Sequence, residues 1–168
     1  GILGSRGIPN AYGGFEECAQ QLSVRLVKKG HEVFVYNSHK HPYQQKSFEG
    51  VEIIHKYDPE HRVGTFGQFI YDLNCMLDAR WRKFDIILML GYTSSSIWQR
   101  FLPADSVIIT NMDGMEWKRS KYAPRIQKFL KRAESWAARR SYLLIADARE
   151  IKRYLDSKYK TQVIYVPY

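Results

Sequence analysis

The sequence predicts an α/β fold: an open, mostly parallel sheet with helices packed on both faces. Three observations predict it. Segments with the 3.6-residue period of a helix alternate with strand-length runs along the chain. The run "IILML" (86–90) is continuously apolar, the pattern of a strand buried on both faces in a parallel sheet. At 168 residues the chain suits a single domain able to bury one sizeable core.

In chain order, a short first strand over 1–4 leads into a glycine-rich loop. A helix follows over 15–29, because Phe15, Cys18, Ala19, Leu22 and Leu26 recur every three or four residues and Gly30 suits the cap that ends it. "EVFVYN" (32–37) is the second strand, 38–50 a polar, aromatic loop, and "VEIIHKY" (51–57) the next strand. "DPEHRVGTFG" (58–67) is expected as a loop, followed by a helix whose apolar positions are Phe69, Leu73, Met76 and Leu77. Then come the strand 84–90, a short helix near 94–101, the strand "SVIITN" (106–111) and a loop over 112–120. A long helix over 122–140, the strand "YLLIAD" (142–147), a helix over 148–157 and the strand "QVIYVP" (162–167) complete the order. Ligands of such folds bind at the carboxyl ends of the strands, which directs attention to 5–14, 38–50, 91–93 and 112–120.

A composition 45% hydrophobic and 26% charged excludes a disordered chain. No apolar run approaches the roughly 20 residues a membrane-spanning helix needs, and no signal-peptide pattern is present. Cys18 and Cys75 are the only cysteines and lack metal-like spacing, so they are expected as reduced packing residues of a cytoplasmic protein. The abrupt start close to the end of the first strand, and the equally sharp stop after "VIYVPY", suggest a piece of a longer chain. Net charge is +9 and concentrated: residues 118–140 hold nine Lys or Arg against one acid, Glu134. Such a patch implies an anionic partner: phosphate, nucleic acid or acidic lipid.

Gly1, Gly4 and Gly7 in "GILGSRGIPNAYGGFEE" imitate a dinucleotide-binding fingerprint. The imitation fails twice. The stretch "IPNAYGG" puts too long a loop before the first helical apolar residue, Phe15. The second strand ends in Asn37 and Ser38, where a ribose-holding acid is wanted. The three glycines are therefore read as spacers that let the strand end approach a neighbouring backbone. Gly13 and Gly14 differ, since they directly precede the helix and Glu16 and Glu17 occupy its first turn. They leave the free N–H groups of the helix start open to a phosphate, unless they simply form a flexible loop.

The stretch "GSRGIPNAYGGFEECAQQLSVRLVKKGHEVFVY" closely resembles the opening of bacterial family-4 glycosyltransferases of the rhamnosyltransferase type. "TNMDGMEWKRSKY" (110–122) is similar to their D-G-x-E-W-x-R segment, and "GYTSSS" (91–96) and "ADAREIKRYL" (146–155) match weaker elements in the right order. The resemblance spans the chain. It implies the glycosyltransferase-B fold, two Rossmann-like domains facing across a cleft, with this chain as the N-terminal, acceptor-side domain. The C-terminal domain, which grips the nucleotide sugar through an acidic motif with two glutamates, has no counterpart here.

The implied function is retaining transfer of a sugar, rhamnose from dTDP-rhamnose, onto a growing cell-surface polysaccharide or lipid-linked glycan, with no cofactor and no metal. Gly13 and Gly14 would line the cleft near the donor diphosphate, whose charge backbone N–H groups stabilise as it leaves. Asp113 would orient or deprotonate an acceptor hydroxyl, although many relatives carry a histidine in this region and Asp113-Gly114 also suits a turn. Glu116 would bind sugar hydroxyls and Arg119 an acceptor phosphate, unless the two form a local ion pair. Trp117 either stacks on a sugar or packs inside, and Tyr92 and Thr93 are weaker cleft candidates. "HKH" (39–41) has two imidazoles but no further ligands and is read as a solvated loop.

In the long helix, Ile126, Phe129, Leu130, Ala133, Trp136 and Ala137 form the packing face. Arg125, Lys128, Lys131, Arg132 and Arg139 lie largely opposite, a basic surface suited to anionic membrane on the inner, cytoplasmic face. A basic nucleic-acid-binding module is the competing reading, but no recognised reading motif accompanies the patch. An NAD-dependent enzyme fails the two tests above.

Overall fold

The structure is a computed structural model that describes residues 1–167. Eight strands form one sheet in the order β3-β4-β2-β1-β5-β6-β7-β8. They are β1 (Ile2–Leu3), β2 (Phe34–Ser38), β3 (Ser47–Phe48), β4 (Val51–Lys56), β5 (Ile86–Leu90), β6 (Val107–Asn111), β7 (Leu143–Ala146) and β8 (Gln162–Tyr165). Every pairing is parallel except that of β3 with β4. The helices are α1 (Gly14–Lys28), α2 (Glu60–Val63), α3 (Gly67–Arg82), α4 (Pro124–Arg140) and α5 (Arg149–Lys158).

Register assigns the helices to faces, since residues directly paired across parallel strands share a side. Ile2 pairs with Val35 and Leu88, and these three pack with Ala19 and Val24 of α1. Leu3, Met89, Thr110, Leu144 and Val163 run across the sheet on the other side. Leu3 and Met89 pack against Tyr71, Cys75, Met76 and Ala79 of α3, while Leu144 and Val163 pack against Ala133 and Ala137 of α4 and Leu155 of α5. One face thus carries α1 and the other α3, α4 and α5, as the alternating pattern requires. The chain winds one way from β1 to β2 and the other way from β5 onward. The sheet therefore has its switch point between adjacent β1 and β5.

Four expectations are corrected. Residues 38–50 are not all loop, because Ser47–Phe48 pairs antiparallel with β4 through a two-residue turn. Its Glu49 and Gly50 both have positive φ, 48° and 82°, as a tight hairpin turn requires. Residues 58–67 hold α2 and a further tight helical turn over Gly64–Phe66. The buried stripe of α3 is Tyr71, Asp72, Cys75, Met76 and Ala79, so Leu77 is exposed. It is rotated from the expected stripe because Tyr71 bonds inward, its hydroxyl donating to the Ser5 and Tyr36 carbonyls. On α4, Ile126 and Trp136 sit at the margins of the packing face and are exposed, whereas Leu130, Ala133 and Ala137 are buried.

The remaining expectations of packing stand. Cys18 and Cys75 are free thiols, half-buried and buried. Pro124 opens α4 at a position where its missing N–H costs nothing, and Lys118, Lys121, Arg125, Lys128, Lys131, Arg132 and Arg139 are exposed. No described helix is long and apolar enough to cross a membrane.

Candidate active-site cleft at the switch point

The loops that leave β1, β5 and β6 converge on a cleft of about 690 Å3. Arg6 and Phe15 contribute from the first sequence block, Gly91, Tyr92, Thr93 and Ser94 from the loop after β5, and Asp113, Glu116, Arg119 and Tyr122 from the second block. Ile126, Phe129 and Leu130 of α4 close one side. Both blocks that carry the resemblance therefore meet in one hollow, although residues 37–109 separate them in the chain.

The first wall is built by backbone. Gly4 has φ +90°, and a Cβ there would lie 2.3 Å from the Leu90 carbonyl oxygen of β5. Gly7 has φ +126°, and a Cβ would lie 2.3 Å from Cγ of Asn37. The spacer reading holds for a neighbouring backbone only at Gly4; Gly7 makes room for the Asn37 side chain and Gly1 for the Phe84 ring. Asn37 is fully buried; its Oδ1 accepts from the Ile8 N–H at 3.0 Å and its Nδ2 donates to the Ile8 carbonyl at 2.7 Å. The amide at the ribose-holding position of a dinucleotide enzyme is therefore spent on clamping the loop. Glu16, also buried, accepts from the Arg6 N–H at 2.7 Å. The Arg6 guanidinium pairs with Glu60 and, at 3.4 Å, with Asp58.

Gly13 caps α1 with its carbonyl accepting from the Glu17 N–H, and Gly14 begins the helix. Both are exposed, and nothing lies within 4 Å of a Cβ built on Gly14. They flank the cleft without lining it; the lining residue from this turn is Phe15. The helix N-terminus is sterically open on that side.

The second wall is built by side chains on a turn. Gly114 has φ +61°, so Asp113-Gly114 does turn the chain, while the Asp113 side chain remains in the lining. Burial, and then the nearby Asp147 and Glu116 carboxylates, push the Asp113 carboxyl above its ordinary range, with Arg119 opposing. Glu116 and Arg119 do form the local ion pair, at 2.7 Å, and both line the cleft. Tyr92 is 1% exposed; its hydroxyl donates to the Gly114 carbonyl at 3.3 Å, tying the loop after β5 to the second wall.

Trp117 does not line the cleft. Its Nε1–H donates to Oε2 of Glu134 on α4 at 2.8 Å, and its ring lies beside Tyr154. Glu134, the lone acid of the basic segment, is buried and also accepts from the hydroxyls of Tyr154 and Tyr159 and from Lys158. Burial pushes its carboxyl up, but donated hydrogen bonds, that of Lys158 first, outweigh this and hold it below the ordinary range. This anchor escaped the sequence reading. An acid on the apolar side of a helix, among positions 130, 133 and 137, was the available signal.

The 39–41 segment is not simply a solvated loop. His41 is buried and its Nδ1 accepts from the Tyr43 N–H, while the His39 Nδ1 accepts from the Asp58 N–H. The His41 imidazole braces a local turn and that of His39 ties this loop to the segment before α2; among the described residues no group of His, Cys, Asp or Glu is placed to hold a metal ion.

Residues 1–168 match the family described as a domain of unknown function, DUF1972. The chain belongs to this family. No curated protein matches the sequence. Among solved structures, this DUF1972 domain is similar to a sucrose-phosphate synthase chain from Thermosynechococcus elongatus. The TM-score is 0.63 at 11% sequence identity, covering 90% of this chain and 84% of that chain. That likeness is one of fold: the DUF1972 domain is an open, mostly parallel Rossmann-like α/β sheet.

A second hollow of the DUF1972 domain, about 700 Å3, lies where Ile97, Gln99 and Arg100 meet Trp136, Arg139 and Arg140 of α4. No carboxylate lines it, and neither sequence block reaches it. The cleft at the switch point holds the groups able to accept or donate protons.

Proposed function

We propose that this domain is the acceptor-side, N-terminal half of a retaining glycosyltransferase. It would act from a nucleotide sugar, dTDP-rhamnose, onto a growing cell-surface or lipid-linked glycan. One observation carries the reading: the two sequence blocks that resemble rhamnosyltransferases line a single cleft at the carboxyl ends of β1, β5 and β6. The likeness in fold to a sucrose-phosphate synthase supports it.

In this reading a C-terminal domain presents the donor, and its diphosphate meets the open N-terminus of α1 at Gly13 and Gly14. Exposed N–H groups and the positive end of the helix dipole favour the charge that develops on the leaving diphosphate. Asp113, with its raised affinity for a proton, orients or deprotonates the acceptor hydroxyl. Glu116 accepts from sugar hydroxyls. Arg119, about half exposed despite its ion pair, turns to an acceptor phosphate. Tyr92 shapes the floor between the walls. The exposed Lys and Arg of 118–139 hold the domain against anionic lipid on the cytoplasmic face of the membrane, each contributing about 1 kcal/mol near the surface.

The test is release of nucleoside diphosphate by the full-length protein, offered dTDP-rhamnose and UDP-glucose with lipid-linked acceptor. Acceptor-dependent release of dTDP is the expected result, and no release with any acceptor overturns the reading. Sedimentation with anionic but not neutral vesicles checks the membrane contact.

A further inference from the structure

Beneath the cleft lies a smaller cavity of about 230 Å3. The two hollows share Arg6, Phe15, Gln68 and Gly91–Ser94 in their linings, so the smaller one is the floor of the larger. The carboxyl of Asp72, on the sheet-facing side of α3 and 3% exposed, lines this floor. Its Oδ2 accepts from the Ser94 hydroxyl at 2.5 Å and its Oδ1 from the Gln68 amide at 3.2 Å.

Both partners are neutral. Arg6, a cation that acts on Asp72 from the loop after β1, is engaged by Asp58 and Glu60. Asp58 itself repels from the segment before α2; Tyr71 and Cys75 adjoin on α3, and Glu16 of α1 lines the same cavity. Burying a carboxyl without a cation in contact is costly. As a brace between α3 and the loop after β5, an asparagine would meet Ser94 and Gln68 without that cost. What the carboxyl adds is acceptor capacity. Its two oxygens offer about four lone-pair sites, of which two are used.

We propose that Asp72, with Ser94 and Gln68, is a hydroxyl-recognition site at the base of the cleft, taking vicinal hydroxyls of a bound sugar. The inference rests on the sugar-transfer reading of the cleft and adds to it the residue that holds the ring from below. The cavity has room for several waters at about 30 Å3 each, which sugar hydroxyls replace. Each incoming hydroxyl donates to a carboxylate oxygen, an interaction stronger than one between neutral groups.

Recognition of this kind is tied to protonation. Burial raises the Asp72 carboxyl to about 7, with Ser94, Gln68 and Arg6 pulling it down. Donated hydroxyl bonds favour the ionised form, so bound sugar lowers this value and affinity rises with pH across neutrality.

The experiment is saturation-transfer NMR of the full-length protein with methyl glycosides of rhamnose, glucose and galactose at pH 6 and 8.5. In parallel, the Asp72 carboxyl 13C resonance is titrated with and without sugar. At least one glycoside is expected to bind about tenfold more tightly at the higher pH, with the Asp72 titration moved to lower pH by sugar. Asp72→Asn is expected to lose about tenfold in affinity and all of that pH dependence. If the wild type binds none of the glycosides, the sugar reading of the cleft falls and this inference with it. If the wild type binds and Asp72→Asn binds equally well, this inference alone falls. Should Asp72→Asn not fold, the wild-type resonance decides: a titration unmoved by bound sugar overturns the assignment, and weakened binding in Ser94→Ala supports it.

Discussion

The two walls of the cleft face each other, yet they are held by opposite means. The first, residues 4–16, is fixed through its backbone: two glycines at positive φ, Asn37 on both polar groups of Ile8, and Glu16 on the Arg6 N–H. The second, residues 113–122, turns on Gly114 and is tied back through the Trp117 indole to a buried carboxylate, leaving Asp113, Glu116 and Arg119 to face the hollow. The Arg6 and Ile8 N–H groups are already engaged, and the donors this wall leaves open are those at the start of α1, where the proposed function puts the diphosphate. A wall of ionisable side chains on an anchored turn is what the proposed acceptor role of Asp113, Glu116 and Arg119 asks for.

The largest effect expected is at the first wall. Gly7→Ala combines a φ of +126° with a Cβ driven into the clamped Asn37 amide, and is expected to cost about 4 kcal/mol. Chemical denaturation checks it. A loss under about 1 kcal/mol would mean that the loop is not held as described.

At the second wall, Glu134→Ala removes the acceptor of Trp117, Tyr154, Tyr159 and Lys158 together and is expected to cost about 3 kcal/mol. The pH dependence has a definite sign. The folded-state value is depressed below 4.5, so the stabilisation is fully present above that pH and is lost as pH falls through the folded value. Thermal unfolding of wild type and variant should therefore converge in acid. Equal separation at every pH would show that the Glu134 charge contributes nothing.

Trp117→Phe keeps an aromatic ring but deletes the indole N–H together with the five-membered ring that carries it, for an expected loss of about 1–2 kcal/mol. Amide hydrogen exchange should quicken over 113–119 while the engaged Arg6 and Ile8 amides keep their wild-type rates. Faster exchange in both would contradict the independence of the two walls.

Much of this architecture was legible in the sequence. Strand "IILML", the Gly30 stop and the apolar stripe of the long helix follow from local chemistry, and the alternation of elements indicated which loops reach the ligand end, although Pro124 starts α4 two residues later than expected. The misses share a physical origin. The strand at 47–48 depends on pairing with β4 across a Glu-Gly turn, a weaker hairpin signal than Asn-Gly. Asn37, Asp72 and Glu134 are polar residues on buried surfaces, and each grips at least one partner 17 or more residues away in another part of the chain. Periodicity marks such residues as misfits in an apolar stripe but does not name their partners. Asp113, Glu116 and Arg119 were found through the motif, whereas their meeting with Arg6 and Phe15 required the fold.

The contrast between the walls is tested most directly at Gly14, where the helix start is open and no positive φ demands glycine. The measurement is sugar transfer from dTDP-rhamnose by full-length Gly14→Val beside wild type, with the melting temperature of each recorded. The account predicts stability within about 1 kcal/mol of wild type and transfer reduced at least about a hundredfold, because the branched side chain stands where the diphosphate must approach. Undiminished transfer by a folded Gly14→Val protein would contradict it.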